Sequence, residues 1–131
     1  MAKRILLIDD EAYDNKCKKI VQYMEKKGIS YDVAITLEIA IEKVLSNLYD
    51  GIILDKYFPL KEGEQRKGAG KKFLEILEEK GKQIPVVIYS SSGKIEHKLV
   101  IEHTSPGDPN QLEKVKELLH YTQHIDTSKQ R

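Results

Sequence analysis

Three short runs of consecutive apolar residues punctuate the chain: Ile5–Ile8, Ile52–Leu54 and Pro85–Tyr89. Each is rich in branched side chains and stops abruptly at polar residues, the pattern of strands covered on both faces in a parallel sheet. Ser30–Ala34 is a shorter and more polar strand, which places it nearer an edge, and Leu99–Ile101 reads as a fifth. Between the strands the period changes. Tyr13, Cys17, Ile20, Val21 and Met24 recur at helical spacing, and Gly28 supplies the stop. Leu37, Ala40, Ile41, Val44, Leu45 and Leu48 form the clearest amphipathic stripe, with Thr36 as N-cap. Phe73, Leu74, Ile76 and Leu77 mark a shorter helix that Gly81 ends.

The last helix carries the strongest start signal. Asp108 stands as N-cap, Pro109 at the first helical position and Gln111 in a capping-box arrangement. Its inward stripe is Leu112, Val115, Leu118, Leu119 and Thr122. Between Leu60 and Lys72, Lys61, Arg66, Lys67, Lys71 and Lys72 alternate with Gly63, Gly68 and Gly70, the composition of a mobile basic loop. Strands alternating with helices predict an α/β fold with a parallel sheet and helices on both faces. Residues 1–125 read as one domain and residues 126–131 as a polar, frayed tail.

Composition narrows the function. A chain of 131 residues is long enough to bury about 70% of its unfolded surface. A net charge of +1 gives no field to attract nucleic acid or an anionic membrane, so neither is expected as a partner. The single cysteine, Cys17, excludes an internal disulfide framework and fits a reducing compartment; it lies on a core stripe and reads as packing. No apolar stretch approaches a membrane span or a signal-peptide core, so a cytoplasmic protein is expected.

The chemistry lies at the strand ends. Two buried-type strands end in acid, at Asp9-Asp10 and at Asp55, and a third ends in hydroxyls at Ser90. In an open α/β sheet, ligands bind just beyond the carboxyl ends of the strands. Three converging carboxylates require a cation, and oxygen-only donors favour Mg²⁺. Beside such an ion Asp55 is placed to attack phosphorus and form an aspartyl phosphate, while Ser90 donates a hydrogen bond to a phosphoryl oxygen.

At these residues the sequence resembles the receiver domain of two-component response regulators. Ile-Leu-Leu-Ile-Asp-Asp-Glu (5–11) is similar to the family's first strand and acidic pair, and Asp-Gly-Ile-Ile-Leu-Asp-Lys-Tyr-Phe-Pro (50–59) to its phosphoacceptor strand. Pro-Val-Val-Ile-Tyr-Ser-Ser (85–91) is similar to its fourth strand with the switch hydroxyl at Ser90. The resemblance implies a flavodoxin-like, doubly wound five-stranded sheet of order 2-1-3-4-5. It implies Asp55 as phosphoacceptor, Asp9 and Asp10 at Mg²⁺, and the backbone carbonyl of Tyr57 as a further ligand. It also implies a stand-alone regulator, no enzyme beyond self-catalysed phosphoryl transfer. The donor would be a sensor histidine kinase or phosphotransfer protein, and an unknown downstream protein would be the target.

The departures from the family pattern are specific. Ser105 occupies the position of the family's lysine, before Pro106 at its cis-proline, and Glu102 that of its aromatic switch residue. The stretch Ser91 to Lys98 is too short for the usual fourth helix, while the loop after Pro59 is longer than usual. One reading gives the lost lysine's role to Lys61, Arg66 or Lys67 in that basic loop. Another makes the chain a phosphorylation-independent adaptor that binds through the altered face around Ser91 to Pro106. Three other readings fail. The Gly63–Lys72 stretch lacks the Gly-Lys-Ser/Thr of a phosphate-binding loop. Tyr57 stands where aspartate-based phosphatases carry a second acid. His120 and His124 are one turn apart without further ligands nearby.

Overall fold

A computed structural model describes residues 3–91 and 93–129, with side chains as far as His120. In chain order the backbone forms β1 (Arg4–Ile8), a 3₁₀ turn (Asn15–Cys17), α1 (Lys18–Lys26), β2 (Ser30–Ala34), α2 (Leu37–Ser46) and β3 (Gly51–Leu54). It continues through β4 (Phe58–Pro59), β5 (Arg66–Lys67), α3 (Ala69–Glu79), β6 (Val86–Tyr89), β7 (Val100–Thr104) and α4 (Gln111–Lys129). Five strands form one parallel sheet in the order β2-β1-β3-β6-β7, the order expected. The three apolar runs are its three inner strands, and the more polar β2 and β7 are its edges.

Strand alternation sorts the core into two layers. Leu6, Ile8, Ile52, Leu54, Val86 and Ile88 pack with Ala40 and Val44 of α2 and with Phe73, Leu74 and Leu77 of α3. Ile5, Leu7, Ile53, Val87 and Tyr89 pack with Ile20 and Met24 of α1 and with Val115 and Leu118 of α4. The same parity carries past the strand ends. Asp9 follows Leu7 by two, and Asp55 follows Ile53 by two, so both are directed to the α1/α4 side.

Several local signals act as expected. Thr36 Oγ1 accepts the Ile39 N–H at 3.1 Å, a cap that stabilises α2 by about 1 kcal/mol. Gly28 and Gly81 leave α1 and α3 at φ of 70° and 69°, where a side chain would be strained.

Others are corrected. Tyr13 is 81% exposed, because the helix begins at Lys18 after a 3₁₀ turn and the period does not extend back to residue 13. Leu45 and Leu48 are exposed, the first on the outer edge of the α2 stripe and the second beyond the end of α2. The basic stretch is an antiparallel hairpin of β4 and β5, turned at Gly63, rather than a mobile loop. The last helix runs from Gln111 to Lys129. Thr122, His124 and the end of the tail fall outside the described side chains.

Between β6 and β7 no helix forms among the described residues. Ile95 and Leu99 cover that part of the core, and the Ile95 N–H approaches His103 Nε2 at 3.2 Å. The Ser105–Pro106 peptide is trans. Pro106 occupies the second position of a turn closed by the Asp108 N–H on the Ser105 carbonyl at 3.1 Å, a position that trans-proline fits. Asp108 Oδ1 accepts the Asn110 N–H at 2.8 Å in the turn that leads into α4, and the helix starts at Gln111, two residues later than the Asp108–Pro109 signal places it. Gln111 does not close a capping box. Its Nε2 donates to the Pro106 carbonyl at 2.9 Å, and its Oε1 lies 3.0 Å from the Tyr89 hydroxyl oxygen.

Candidate phosphoacceptor and metal site

The register aligns Ile8 with Leu54 and Leu54 with Ile88, so β1, β3 and β6 end side by side. The Asp55 N–H donates to the Ile8 carbonyl at 2.9 Å and fixes one acid beside the other strand's end. Asp9, Asp10 and Asp55 thereby bring carboxylate oxygens within 4.8 Å of one another. Asp9 is fully buried and Asp55 nearly so. At an effective dielectric of about 20, two such charges repel by roughly 3 kcal/mol per pair, so the cluster needs cations.

Two basic side chains supply part of the charge. Lys16 Nζ, from the 3₁₀ turn, lies 2.6 Å from Asp9 Oδ2 and 3.2 Å from Asp55 Oδ2. Arg66, from the hairpin, places Nε 2.7 Å from Asp10 Oδ2 and a terminal nitrogen 3.2 Å from Glu11. The remaining acceptors are mostly filled by backbone. Asp9 Oδ1 takes the Glu11 N–H at 2.8 Å, and Asp55 Oδ1 takes the Lys56 N–H at 2.7 Å. Asp10 Oδ1 is the exception: it is buried and has no hydrogen-bond partner among the described residues.

That orphan oxygen is the observation by which a metal can be judged. Asp9, Asp10, Glu11 and Asp55 carry four formal negative charges against the two positive charges of Lys16 and Arg66. The remainder matches one divalent cation, and an all-oxygen donor set with one unsatisfied buried carboxylate oxygen fits Mg²⁺.

Burial raises the Asp9 pKa, against the pull of Lys16. Burial works against the Lys16 ammonium, but Asp9 and Asp55 outweigh it and hold the proton above the usual lysine range. Burial also pushes the Cys17 thiol up, so Cys17 stays protonated, with Sγ 3.6 Å from Asp9 Oδ2. It is a packing residue, as its place in the sequence suggests. Tyr89, raised by burial as well, keeps its hydroxyl proton, and its oxygen lies 2.6 Å from the Lys16 carbonyl and 3.0 Å from Gln111 Oε1.

The other expected residues divide. Ser90 is buried at the end of β6, its N–H on the Thr104 carbonyl at 3.1 Å. Tyr57 follows Asp55 by two, with its ring partly exposed beneath Lys56 Nζ at 5.4 Å from the centroid. Ser105 sits beyond β7 in the turn that starts α4, where Asp108 Oδ2 accepts the Thr104 hydroxyl and pairs with Lys114, each at 3.0 Å. Of the three loop cations, Arg66 reaches the acidic pair but pairs with Asp10 and Glu11 rather than Asp55; Lys61 and Lys67 are exposed. Lys16 is the residue that sequence reasoning missed. Amid Lys16, Lys18 and Lys19 it looks like one more solvated lysine, and only the turn before α1 aims it inward.

Gly70 shapes the floor of the site. Its N–H donates to the Lys56 carbonyl at 3.1 Å, so the first turn of α3 rests on the backbone just after Asp55. A Cβ there would lie 2.6 Å from the Asp55 carbonyl oxygen.

No family model and no curated protein sequence matches this chain significantly. Solved structures do match over nearly its whole length. A CheY-like response regulator receiver domain protein from Methanospirillum hungatei superposes with a TM-score of 0.72 at 18% identity, over 95% of this chain and 99% of that one. A response regulator protein from Thermotoga maritima, in complex with Mg²⁺ and BeF, is 26% identical over 88% of this chain and 98% of its own, at a TM-score of 0.65. A two-component response regulator from Clostridium difficile matches equally well, at 26% identity, 90% and 96% coverage and a TM-score of 0.65. The five-stranded parallel sheet with helices on both faces superposes on theirs: this chain has the receiver fold of response regulators.

Proposed function

We propose that the chain is a phosphoacceptor module of two-component signalling, with Asp55 as the acceptor. The observation that carries this reading is the cluster of Asp9, Asp10 and Asp55, whose carboxylate oxygens lie within 4.8 Å and include one buried oxygen without a partner. The Mg²⁺–BeF complex of the Thermotoga neighbour lends it support. Asp9, Asp10, Asp55 and the backbone carbonyl of Tyr57 would hold Mg²⁺, which when bound draws charge from the phosphoryl oxygens. Asp55 Oδ1 holds the Lys56 N–H at 2.7 Å, and Oδ2, 3.2 Å from Lys16 Nζ, is the attacking oxygen. It forms the new bond to phosphorus as the bond from phosphorus to the donor breaks, and the leaving group departs with the electron pair. Ser90 donates its hydroxyl to a phosphoryl oxygen. The donor is a phosphohistidine of a sensor kinase or phosphotransfer protein, and the output is a changed protein-binding surface.

The test is intact mass after incubation with Mg²⁺ and a small acyl phosphate, with Asp55→Asn alongside. One phosphate adduct on the parent and none on the variant is expected. Equal labelling of both would remove Asp55 from the role.

A second reading has its own support. Lys16 already pairs Asp9 with Asp55, and the face between β6 and β7 shows no helix among the described residues. Both suit an adaptor that binds its partner without phosphorylation. On that reading Asp55→Asn leaves partner binding intact, whereas the phosphoacceptor reading requires the response to be lost.

A further inference from the structure

The acceptor centre contains a cation that neither the acidic motif nor the altered Ser105 position assigns. Lys16 projects from the 3₁₀ turn, and its side chain is 14% exposed. The turn is fastened on both sides. Cys17 is buried with its N–H on the Asp14 carbonyl at 3.2 Å, and the Lys16 carbonyl accepts the Tyr89 hydroxyl at 2.6 Å. The ammonium therefore belongs to the core of the site rather than to a wandering surface side chain.

Its neighbours dictate what it can do. Lys16 Nζ faces Asp55 Oδ2, the oxygen left for attack once Oδ1 binds the Lys56 N–H. An ammonium has three N–H donors, and Asp9 and Asp55 take two of them. A phosphoryl group on Asp55 Oδ2 would bring its oxygens to the same ammonium while cancelling the charge of the Asp55 carboxylate. The other basic residues nearby are committed elsewhere. Arg66 spends its fork on Asp10 and Glu11, and Lys56 lies over the Tyr57 ring.

We propose that Lys16 is the fixed cation of the acceptor site, paired with Asp55 before phosphoryl transfer and with the phosphoryl oxygens during and after it. This rests on Asp55 being the acceptor. Lys16 keeps its proton throughout. The bond from phosphorus to the donor breaks as the Asp55 Oδ2–P bond forms, and Lys16 exchanges one acceptor oxygen for another while remaining on Asp9. Such a preorganised charge acts where charge accumulates in the transition state.

The experiment compares parent, Lys16→Gln, Lys16→Arg, Asp55→Asn and Lys26→Ala, the last an exposed control at the end of α1. Each is incubated with Mg²⁺ and acetyl phosphate, and the initial rate of adduct formation is read by intact mass. Lys16→Gln should slow it by on the order of tenfold or more. Lys16→Arg should recover part of the loss, and Lys26→Ala should match the parent. If Lys16→Gln is labelled at the parent rate while Asp55→Asn is not labelled, the Lys16 proposal falls and the acceptor assignment stands. If the parent takes no adduct, both fall. Should Lys16→Gln not fold, the ¹⁵N resonance of the Lys16 ammonium, assigned with Lys16→Arg, must shift when the parent is phosphorylated. An unmoved resonance overturns the proposal.

Discussion

Gly70→Ala is a substitution for which helix propensity and packing predict opposite signs. Alanine in place of glycine inside a helix normally stabilises by roughly 0.5–1 kcal/mol. Here the added Cβ would lie 2.6 Å from the Asp55 carbonyl oxygen and 3.1 Å from both the Cα and the carbonyl oxygen of Lys56. All three are backbone atoms, so no rotamer change relieves the overlap. Either α3 lifts, stretching the 3.1 Å bond from the Gly70 N–H to the Lys56 carbonyl, or the segment after β3 gives way. Overpacking of this kind costs about 1–3 kcal/mol, and weakening the hydrogen bond adds about 1 kcal/mol. Against the propensity gain, the net is a loss of about 1–3 kcal/mol. For a chain of this length each kcal/mol lowers Tm by roughly 3–4 °C, well within reach of a thermal melt followed by circular dichroism. Gly107→Ala is the matched control, since a Cβ there meets nothing within 4 Å. The displaced segment carries Asp55, so labelling by acetyl phosphate should slow in Gly70→Ala and not in Gly107→Ala. A Gly70→Ala protein as stable as its parent and labelled at the same rate would refute the reasoning.

Two further outcomes follow from the charge network. Asp10→Ala removes the buried oxygen without a partner, and titration calorimetry should show Mg²⁺ affinity reduced by at least the tenfold or so that loss of even an outer-shell partner costs; unchanged affinity would take Asp10 out of the metal site. At the opposite end of the sheet, Tyr49→Phe removes the 2.6 Å bond to Asp32 Oδ2, which should cost about 1 kcal/mol in urea unfolding at neutral pH. The Tyr49 hydroxyl, helped by Arg4, holds the Asp32 pKa below 3.8, so this contribution is present above pH 3.8 and is lost as pH falls through the lowered folded value. A difference between parent and variant that persists unchanged at the acid end would contradict the assignment.

The parts legible in the sequence are those where one residue's neighbours along the chain decide its fate. Ile5–Ile8, Ile52–Leu54 and Val86–Tyr89 are apolar because both faces are covered, and the acids that end two of them meet because parallel strands start and stop together. Thr36 caps α2 through a bond to a residue three positions away, which any sequence reading can anticipate. The parts that were not legible depend on distant partners. Arg66 finds Asp10 across fifty-six positions because the β4–β5 hairpin folds back over the sheet end. Lys16 points inward because a 3₁₀ turn and the Tyr89 hydroxyl orient it, and nothing in a run of lysines signals that. Gln111 has the spacing of a capping box, yet Tyr89, twenty-two residues earlier, claims the oxygen the box would need.

The Tyr89 hydroxyl joins the carbonyl of Lys16, at the acceptor centre, to Gln111, the first residue of α4, which in turn holds the Pro106 carbonyl. Two surfaces that are remote in sequence therefore share one hydrogen-bonding atom. Linkage makes such a connection symmetric. Whatever free energy a change of charge at Asp55 exerts on the seating of α4, a protein that grips the start of α4 exerts in equal measure on the acceptor. If Asp55 accepts a phosphoryl group as proposed, a binding partner on that surface would tune the readiness of the domain to take it up, as well as sense that it is there.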